Sequence, residues 1–375
     1  MSGAQLGLSV FALFTLGAHL ASLSIVLWRA RKPAPLPAPA DAPGVSVLRP
    51  VCGLENYLEE TLASSFALGY PNYEIIFCID GADDPALPLL HRLIKVNPTV
   101  CAQIRIGRDS VGANPKLNKL VKGWKAARYD WRIMADCNLL LPPDYIERLM
   151  ERWAGKVGLV SSPPVGAQPQ GIWAELECAF LNTYQARYQL GADQLGMGFA
   201  QGKSMLWRRE LLENAGGIAA LSAEAAEDAA ATKIIRRAGG SIRLSHMPFA
   251  QPLGARALSD VWRRQLRWAR LRRASFTLHF LPELIAGGLM PCAAVAALAS
   301  LGALHAGEAI AYGVLWYGVE VALARAVGWP NSLKGTLAIV ARDCLLAPLW
   351  LAAWAGDRFV WRGNAMSAET EAAFR

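Results

Sequence analysis

Carboxylates and cations recur along this chain where they could do chemistry. Asp80-Gly81-Ala82-Asp83-Asp84-Pro85 follows directly on the apolar run Tyr73–Ile79, and Asp136-Cys137-Asn138 follows Trp131–Ala135. A carboxylate after such a strand can hold magnesium or manganese against a nucleotide diphosphate, because hard oxygen ligands suit those ions. Asp84 before Pro85 also reads as an ordinary helix cap, and Asp136 as a turn residue. Glu227-Asp228 lies within the alanine-rich residues 223–231. An apolar setting raises a carboxyl pKa and suits it to general-base work; a solvated helix face is the plainer reading. Asn114-Pro115-Lys116-Leu117-Asn118-Lys119 would open a helix, where backbone N–H groups and lysine favour an anion. Arg264-x-x-Arg267-Trp268 sits among seven arginines between Arg256 and Arg273.

These residues need a frame. Apolar runs at 45–48, 73–79, 102–106 and 131–135 read as strands, and 55–66, 85–96, 116–128 and 142–153 as the helices between them. Such alternation predicts an α/β domain over residues 45–255 with a parallel sheet covered on both faces. Ligands then bind at the carboxyl ends of the strands, which is where Asp84 and Asp136 fall. Cys52, Cys78, Cys101, Cys137, Cys178, Cys292 and Cys344 form no CxxC pair, so neither a disulfide framework nor a zinc site is expected.

The remainder reads as membrane. Hydrophobic residues make up 53% of the chain, and its mean hydropathy is positive, high for a purely soluble protein. Residues 6–28 are uncharged and long enough for a ~30 Å hydrocarbon core. Arg29, Arg31 and Lys32 follow, as in an uncleaved anchor over 1–32 ending in the cytoplasm. The proline-rich residues 33–44 read as a stiff spacer. The net charge of +8 is concentrated in the arginine cluster. A helix there would set Leu258, Trp262, Leu266 and Ala269 on one face, with rings in lipid and guanidinium groups at phosphates. Residues 256–282 are therefore expected to be interfacial, with Arg270, Arg272 and Arg273 serving membrane contact. Residues 284–304, which read as uncharged throughout, place the basic cluster against a bilayer and leave no role for nucleic acid. Over 283–357 further apolar stretches hold Glu320, Arg325, Arg342 and Asp343, which are expected to face protein or an interface. Arg358 and Arg362, in the tail 358–375, suggest a cytoplasmic C-terminus.

Taken in order, Pro50-Val51-Cys52-Gly53, Asp84-Pro85, Asn114-Pro115-Lys116, Asp136, Glu227-Asp228 and Arg264-x-x-Arg267-Trp268 resemble the ceramide glucosyltransferase family, closest to its alphaproteobacterial members. These are membrane-bound inverting glycosyltransferases of the GT-A type, marked by three separated aspartates and (Q/R)xxRW. Spacings of 52, 92 and 36 residues between Asp84, Asp136, Asp228 and Arg264 fit that pattern. The resemblance implies a Rossmann-like GT-A domain with transmembrane and interfacial helices. It implies transfer of a hexose, with glucose favoured, from a UDP-sugar to the primary hydroxyl of ceramide or a similar lipid, with Mg²⁺ or Mn²⁺, at the cytoplasmic face of a bacterial inner membrane. It makes Asp228 the base and Asp136 the metal or diphosphate ligand. Pro50, Gly53, Asp84, Lys116 and Glu227 would join the nucleotide-sugar site, and Arg264, Arg267 and Trp268 would close over the diphosphate. Two departures stand out. The usual DxD is Asp136-Cys137-Asn138, and a histidine of animal members corresponds to Gln185. A hopanoid glycosyltransferase shares the three-aspartate pattern. A processive polysaccharide synthase would need more spans, and a non-enzymatic scaffold gives no reason for the aspartates.

Overall fold

The computed structural model describes residues 2–361 and 363–368, so Arg362 lies outside the described residues. The chain divides into two compact units. One comprises Met1–Arg31, Gly166–Gly191 and Leu253–Asp357, and the other Lys32–Val165, Ala192–Pro252 and Arg358–Arg375.

Helix α1 (Gly3–Ala30) opens the chain. Ser2 and Gln5 cap it reciprocally, side chain to backbone, at 2.7 and 3.2 Å, which fixes where the helix begins. The proline-rich stretch after it is anchored at its far end. Asn72 donates to the Ala40 and Ala42 carbonyls and Tyr70 to that of Pro43, so residues 40–43 lie on the second unit instead of hanging free.

That unit is built on a sheet. Strands β1 (Val45–Pro50), β2 (Tyr73–Ile79), β3 (Cys101–Ile106) and β4 (Trp131–Ala135) alternate with helices α2 (Leu58–Ala63), α3 (Leu87–Val96) and α4 (Pro115–Ala126). Helix α5 (Tyr145–Met150) and strand β5 (Val157–Ser161) follow. Strand β1 is buried along its whole length and β2 nearly so, as expected of apolar runs covered on both faces. Helix α4 packs closely because position 123 is glycine: a Cβ there would collide with Cys78 Sγ.

Next come β6 (Pro164–Gln170), α6 (Ile172–Ala179), a π-helical turn (Phe180–Ala186) and α7 (Arg187–Gln194). Strand β7 (Ser204–Arg208), α8 (Arg209–Glu213), α9 (Glu227–Arg237), β8 (Ser241–Leu244) and β9 (Phe249–Ala255) complete this region. The main sheet runs β3-β2-β1-β4-β7-β5-β8, while β6 pairs only with β9. The expected all-parallel sheet is thus corrected. Strands β3, β2, β1 and β4 are parallel, but β7 runs antiparallel between β4 and β5. Strand direction is not written in an apolar run, and here it matters, because antiparallel β7 begins where β4 ends.

The first unit holds α10 (Leu258–Ser275), α11 (Thr277–Phe280), α12 (Leu289–Ser300), α13 (Ala306–Ala326) and α14 (Leu333–Trp354) with α1 and α6. Among the described residues α1 and α14 are long and apolar enough to cross a membrane. A third crossing requires counting Thr277–Ile285 and α12 together across a 44° bend. The expected unbroken span over 284–304 is therefore replaced by a twelve-residue helix. Gly287 and Gly288 explain the break: a Cβ at Gly287 would meet Leu346 at 2.6 Å, and the Gly288 N–H donates to Asp343 Oδ2 at 2.6 Å.

Helix α10 also departs from expectation. Its buried line is Val261, Gln265 and Ala269, whereas Leu258 is 41% exposed. Trp262 and Leu266 pack on protein with α14 residues, and Trp268 against a cluster that includes Ala174 and Cys178. The rings thus have protein partners where lipid was expected. Arg272 is likewise not free for lipid, since it makes two bonds to Glu283, at 2.6 and 2.7 Å.

Candidate active site

The site begins at the mouth of α4. Pro115 sits in the first turn and Asn114 caps it, accepting the N–H groups of Lys116 and Leu117 at 3.0 and 3.2 Å. The helix N-terminus expected to hold an anion is thus closed by its own side chain, with the Asn114 amide turned to Glu227 Oε2 at 2.7 Å. Lys116 projects from the first turn into a buried pocket of oxygens. Its Nζ lies 2.6 Å from Asp136 Oδ1 and 2.7 Å from Glu227 Oε1, and it donates to the Gly202 carbonyl.

The antiparallel strand β7 completes the arrangement. Ala135 pairs with Ser204, and the Asp136 N–H donates to the Lys203 carbonyl at 3.0 Å. The Lys203 ammonium reaches Asp136 Oδ2 at 2.9 Å and Asn138 Oδ1 at 2.9 Å. Arg49, fully buried in β1, holds the turn from beneath by donating to the Asp136 and Leu139 carbonyls. Burial opposes ionisation of Asp136, but Lys116 and Lys203 overcome it and hold the carboxyl down to about 2. Burial likewise works against the Lys116 charge, and Asp136 and Glu227 more than restore it.

Asp228 is the surplus anion. It lies in the first turn of α9, where one carboxylate oxygen accepts the Gly202 N–H at 2.8 Å and the other its neighbour's, Ala229, at 2.9 Å. Gly202 therefore joins the two halves, giving its N–H to Asp228 and its carbonyl to Lys116. Glycine here lets the backbone come close to both carboxylates, since a Cβ would stand 2.7 Å from Glu227 Oε1 and displace it. Burial, and then the adjacent Glu227 charge, push the Asp228 carboxyl up to about 6. Two backbone donors and Lys116 pull the other way without prevailing. A carboxylate poised near neutrality can accept a proton in mildly acidic to neutral solution.

The remaining expected residues fall as follows. Asp84 accepts the Gly53 N–H through both oxygens, each at 3.1 Å, and the Ala86 N–H at 2.9 Å. It ties the loop after β1, in which Gly53 takes φ 63°, to the start of α3. Pro50 is the last residue of β1. Arg264, Arg267 and Trp268 lie on α10 in the other unit, where Arg264 pairs with Glu177. Lys203 and Asn138 were not singled out by sequence reasoning as ligands of this cluster. Their signal is the register of β7 on β4, which no local pattern encodes.

The donor chemistry admits a hard cation. Among the described residues no three His, Cys, Asp or Glu groups converge. Magnesium, however, commonly uses one or two protein carboxylates and completes its shell from substrate phosphates and water. Asp136, with four lone-pair sites of which two face lysines, and the Asn138 carbonyl supply that kind of oxygen.

A family model described as glycosyl transferase family 21 matches residues 8–374. Ceramide glucosyltransferase 1 of Caenorhabditis elegans is 30% identical over 234 residues, 62% of this chain and 50% of the relative. Ceramide glucosyltransferase 3 of the same organism is 27% identical over 267 residues, 71% and 57% of the two chains. Ceramide glucosyltransferase of Komagataella phaffii is 28% identical over 297 residues, 64% and 58%. The chain thus spans about half the length of the curated relatives it matches. Among solved structures, the mannosyltransferase PcManGT from Pyrobaculum calidifontis, in complex with GDP-Man and Mn²⁺, is 20% identical. It covers 90% of this chain and 99% of its own, with a TM-score of 0.51, and shows the same fold.

Proposed function

The chain belongs to glycosyl transferase family 21, and from that premise we propose that it moves glucose from UDP-glucose to the primary hydroxyl of ceramide, with inversion. The observation that carries this reading is the junction at Gly202. Its carbonyl accepts from a lysine paired with Asp136, and its N–H holds a carboxylate whose pKa is raised to about 6. One side suits a leaving diphosphate and the other a departing proton.

The step follows from those charges. Asp228 takes the hydroxyl proton as the lipid oxygen bonds to the anomeric carbon. The bond from that carbon to the β-phosphate oxygen breaks, and UDP leaves with the electron pair. Lys116 and Lys203 place positive charge beside Asp136. Fixed charges aimed at a developing charge usually lower a reaction barrier more than any other single device an enzyme has. A divalent cation at Asp136 would supply further neutralisation of the diphosphate. Asp84, Gly53 and Pro50 shape the loop that receives the nucleotide. The α1 helix, ending in Arg29 and Arg31, anchors the protein in the bacterial inner membrane with residues 45–255 in the cytoplasm. Reaction of a cysteine introduced within residues 33–44 with an impermeant reagent outside intact cells would refute that placement.

The test is purified protein incubated with a panel of UDP-sugars and lipid acceptors, read by mass spectrometry. Glucosylceramide from UDP-glucose is expected. Transfer only to a hopanoid, or only into a polymer, would overturn the assignment.

A further inference from the structure

Lys203 is tied to the Asp136 turn at both ends. Its carbonyl accepts the Asp136 N–H at 3.0 Å, and the next residue, Ser204, pairs with Ala135 in the antiparallel register of β7 on β4. Its ammonium returns to the same turn, 2.9 Å from Asp136 Oδ2 and 2.9 Å from Asn138 Oδ1. The backbone register sets where the side chain starts, and the two oxygens set where it ends.

The Asn138 amide is aimed by its neighbours. Its nitrogen donates to Glu55 Oε2 at 3.3 Å, and its oxygen accepts from Lys203. A carboxylate only accepts and an ammonium only donates, so a reversed amide would meet both neighbours with the wrong atom. One carboxylate oxygen and one amide oxygen, two residues apart, therefore converge on a point that carries positive charge. Oxygens of this kind are also what magnesium or manganese takes. A divalent cation bonded to both would stand beside the ammonium with like charge. In a partly buried site salt screens such repulsion poorly, so the two occupants exclude each other. Lys116 holds the other oxygen, Asp136 Oδ1, at 2.6 Å, whichever of them is present.

We propose that the Lys203 ammonium and a divalent cation are alternative occupants of one seat, the oxygen pair Asp136 Oδ2 and Asn138 Oδ1, and that the lysine alone suffices for nucleotide binding. The proposal rests on the nucleotide-sugar reading above and names the charge that meets the diphosphate when the lysine holds the seat. Binding of the divalent ion then costs the displacement of Lys203.

UDP and Mn²⁺ binding are measured on the full chain in detergent, without acceptor lipid. Calorimetry gives the UDP affinity in EDTA and in Mn²⁺, and the electron paramagnetic resonance of unbound Mn²⁺ gives the metal affinity with UDP present. The wild type is expected to bind UDP in EDTA, and Mn²⁺ should raise that affinity less than about tenfold, below the worth of one hydrogen bond to a charged group. K203M in EDTA should bind UDP about ten- to a hundredfold more weakly, the loss of one such bond, and Mn²⁺ should restore most of it. Its Mn²⁺ affinity should exceed the wild type's by about tenfold or more, because no ammonium has to be displaced. A wild type that binds UDP only with Mn²⁺ overturns the proposal, and this comparison stands alone if K203M does not fold. A folded K203M whose Mn²⁺ affinity equals the wild type's overturns it as well. UDP that binds the wild type neither in EDTA nor in Mn²⁺ overturns the nucleotide-sugar reading and the proposal with it.

Discussion

Two clusters of buried charge, one in each unit, are assembled from the same kinds of group and differ in what they leave over. In the membrane-associated unit Arg342 bonds Glu320 Oε2 at 3.1 Å, Asp343 Oδ1 at 2.6 Å and Thr183 Oγ1 at 2.8 Å. Arg187 reaches His19 Nδ1 at 2.6 Å, and His19 Nε2 faces the Trp316 carbonyl at 3.0 Å. Both contacts fit the tautomer protonated at Nε2. The four ionic side chains are 0–1% exposed and balance as two cations and two anions. Of these four, only Arg187 keeps unmet donors, with Nη2 3.8 Å from Glu320. In the sheet unit Lys116 and Lys203 balance Asp136 and Glu227, but Asp136 and Lys203 keep 21% and 14% of their side-chain surface open, and Asp228 remains as an extra carboxyl. A closed, neutral cluster ties α1, the π-helical turn, α13 and α14 together. An open one with a surplus anion is prepared for something that arrives.

The contrast can be broken at either end. The largest effect belongs to the surplus anion. Asp228→Asn should lower kcat by about 10² to 10⁴, the usual worth of a general base, and leave UDP affinity nearly intact by calorimetry. Retention of more than about a tenth of the rate would remove the base role. The closed cluster should answer in stability. Glu320→Gln leaves Arg342 and Arg187 short of an anion, and breaking a buried pair costs about 3–5 kcal/mol. A much lower unfolding midpoint is expected, with unchanged UDP affinity in whatever stays folded. A shift in UDP affinity with no loss of stability would reverse the two assignments.

Smaller effects sharpen the comparison. Lys203→Met removes one of two cations on Asp136 and should weaken UDP-glucose binding by about ten- to a hundredfold, as for a charge-assisted bond. Equal affinity in the variant would confine Lys203 to holding the turn. Arg263 sits on α10 with 74% of its side chain exposed and pairs with Asp260 at 2.7 Å. Arg263→Gln should change activity less than about twofold in detergent, since exposed pairs contribute little. Arg267→Lys, at an RxxRW position, should lose far more under the same conditions. Similar losses at both positions would argue that α10 acts only as a scaffold.

Much of the sheet was legible because its strands are continuous apolar runs. Val45–Pro50 and Tyr73–Ile79 can be read without alternation, since both faces are covered. The aspartates after β2 and β4 were legible from position alone, and the alanine-rich surroundings of Asp228 foretold a raised pKa. Direction and distance were not legible. Ser204–Arg208 is a short apolar run like others, and nothing in it says that it lies antiparallel beside β4 and brings Lys203 to Asp136, 67 residues earlier. Residues 284–304 looked like a span because they read as uncharged. Their break at Gly287 depends on Asp343 and Leu346, which approach from α14. The arginine helix misled for a related reason. Amphipathic periodicity shows that a face will be buried, but not whether lipid or protein buries it.

The central claim is that the carboxylate at Gly202 is the proton acceptor, and a pH–rate profile tests it most directly. Asp228 is raised above the ordinary aspartate value, so it is protonated and idle below about 6 and competent above it. The free-enzyme parameter kcat/KM should fall about tenfold per pH unit below an apparent pKa near 6 and level off above it. Asp228→Glu, if active, should keep the limb at a shifted position, and the residual rate of Asp228→Asn should lack it. A wild-type profile that stays flat down to pH about 5, or an Asp228→Asn profile with the same limb as wild type, would contradict the account.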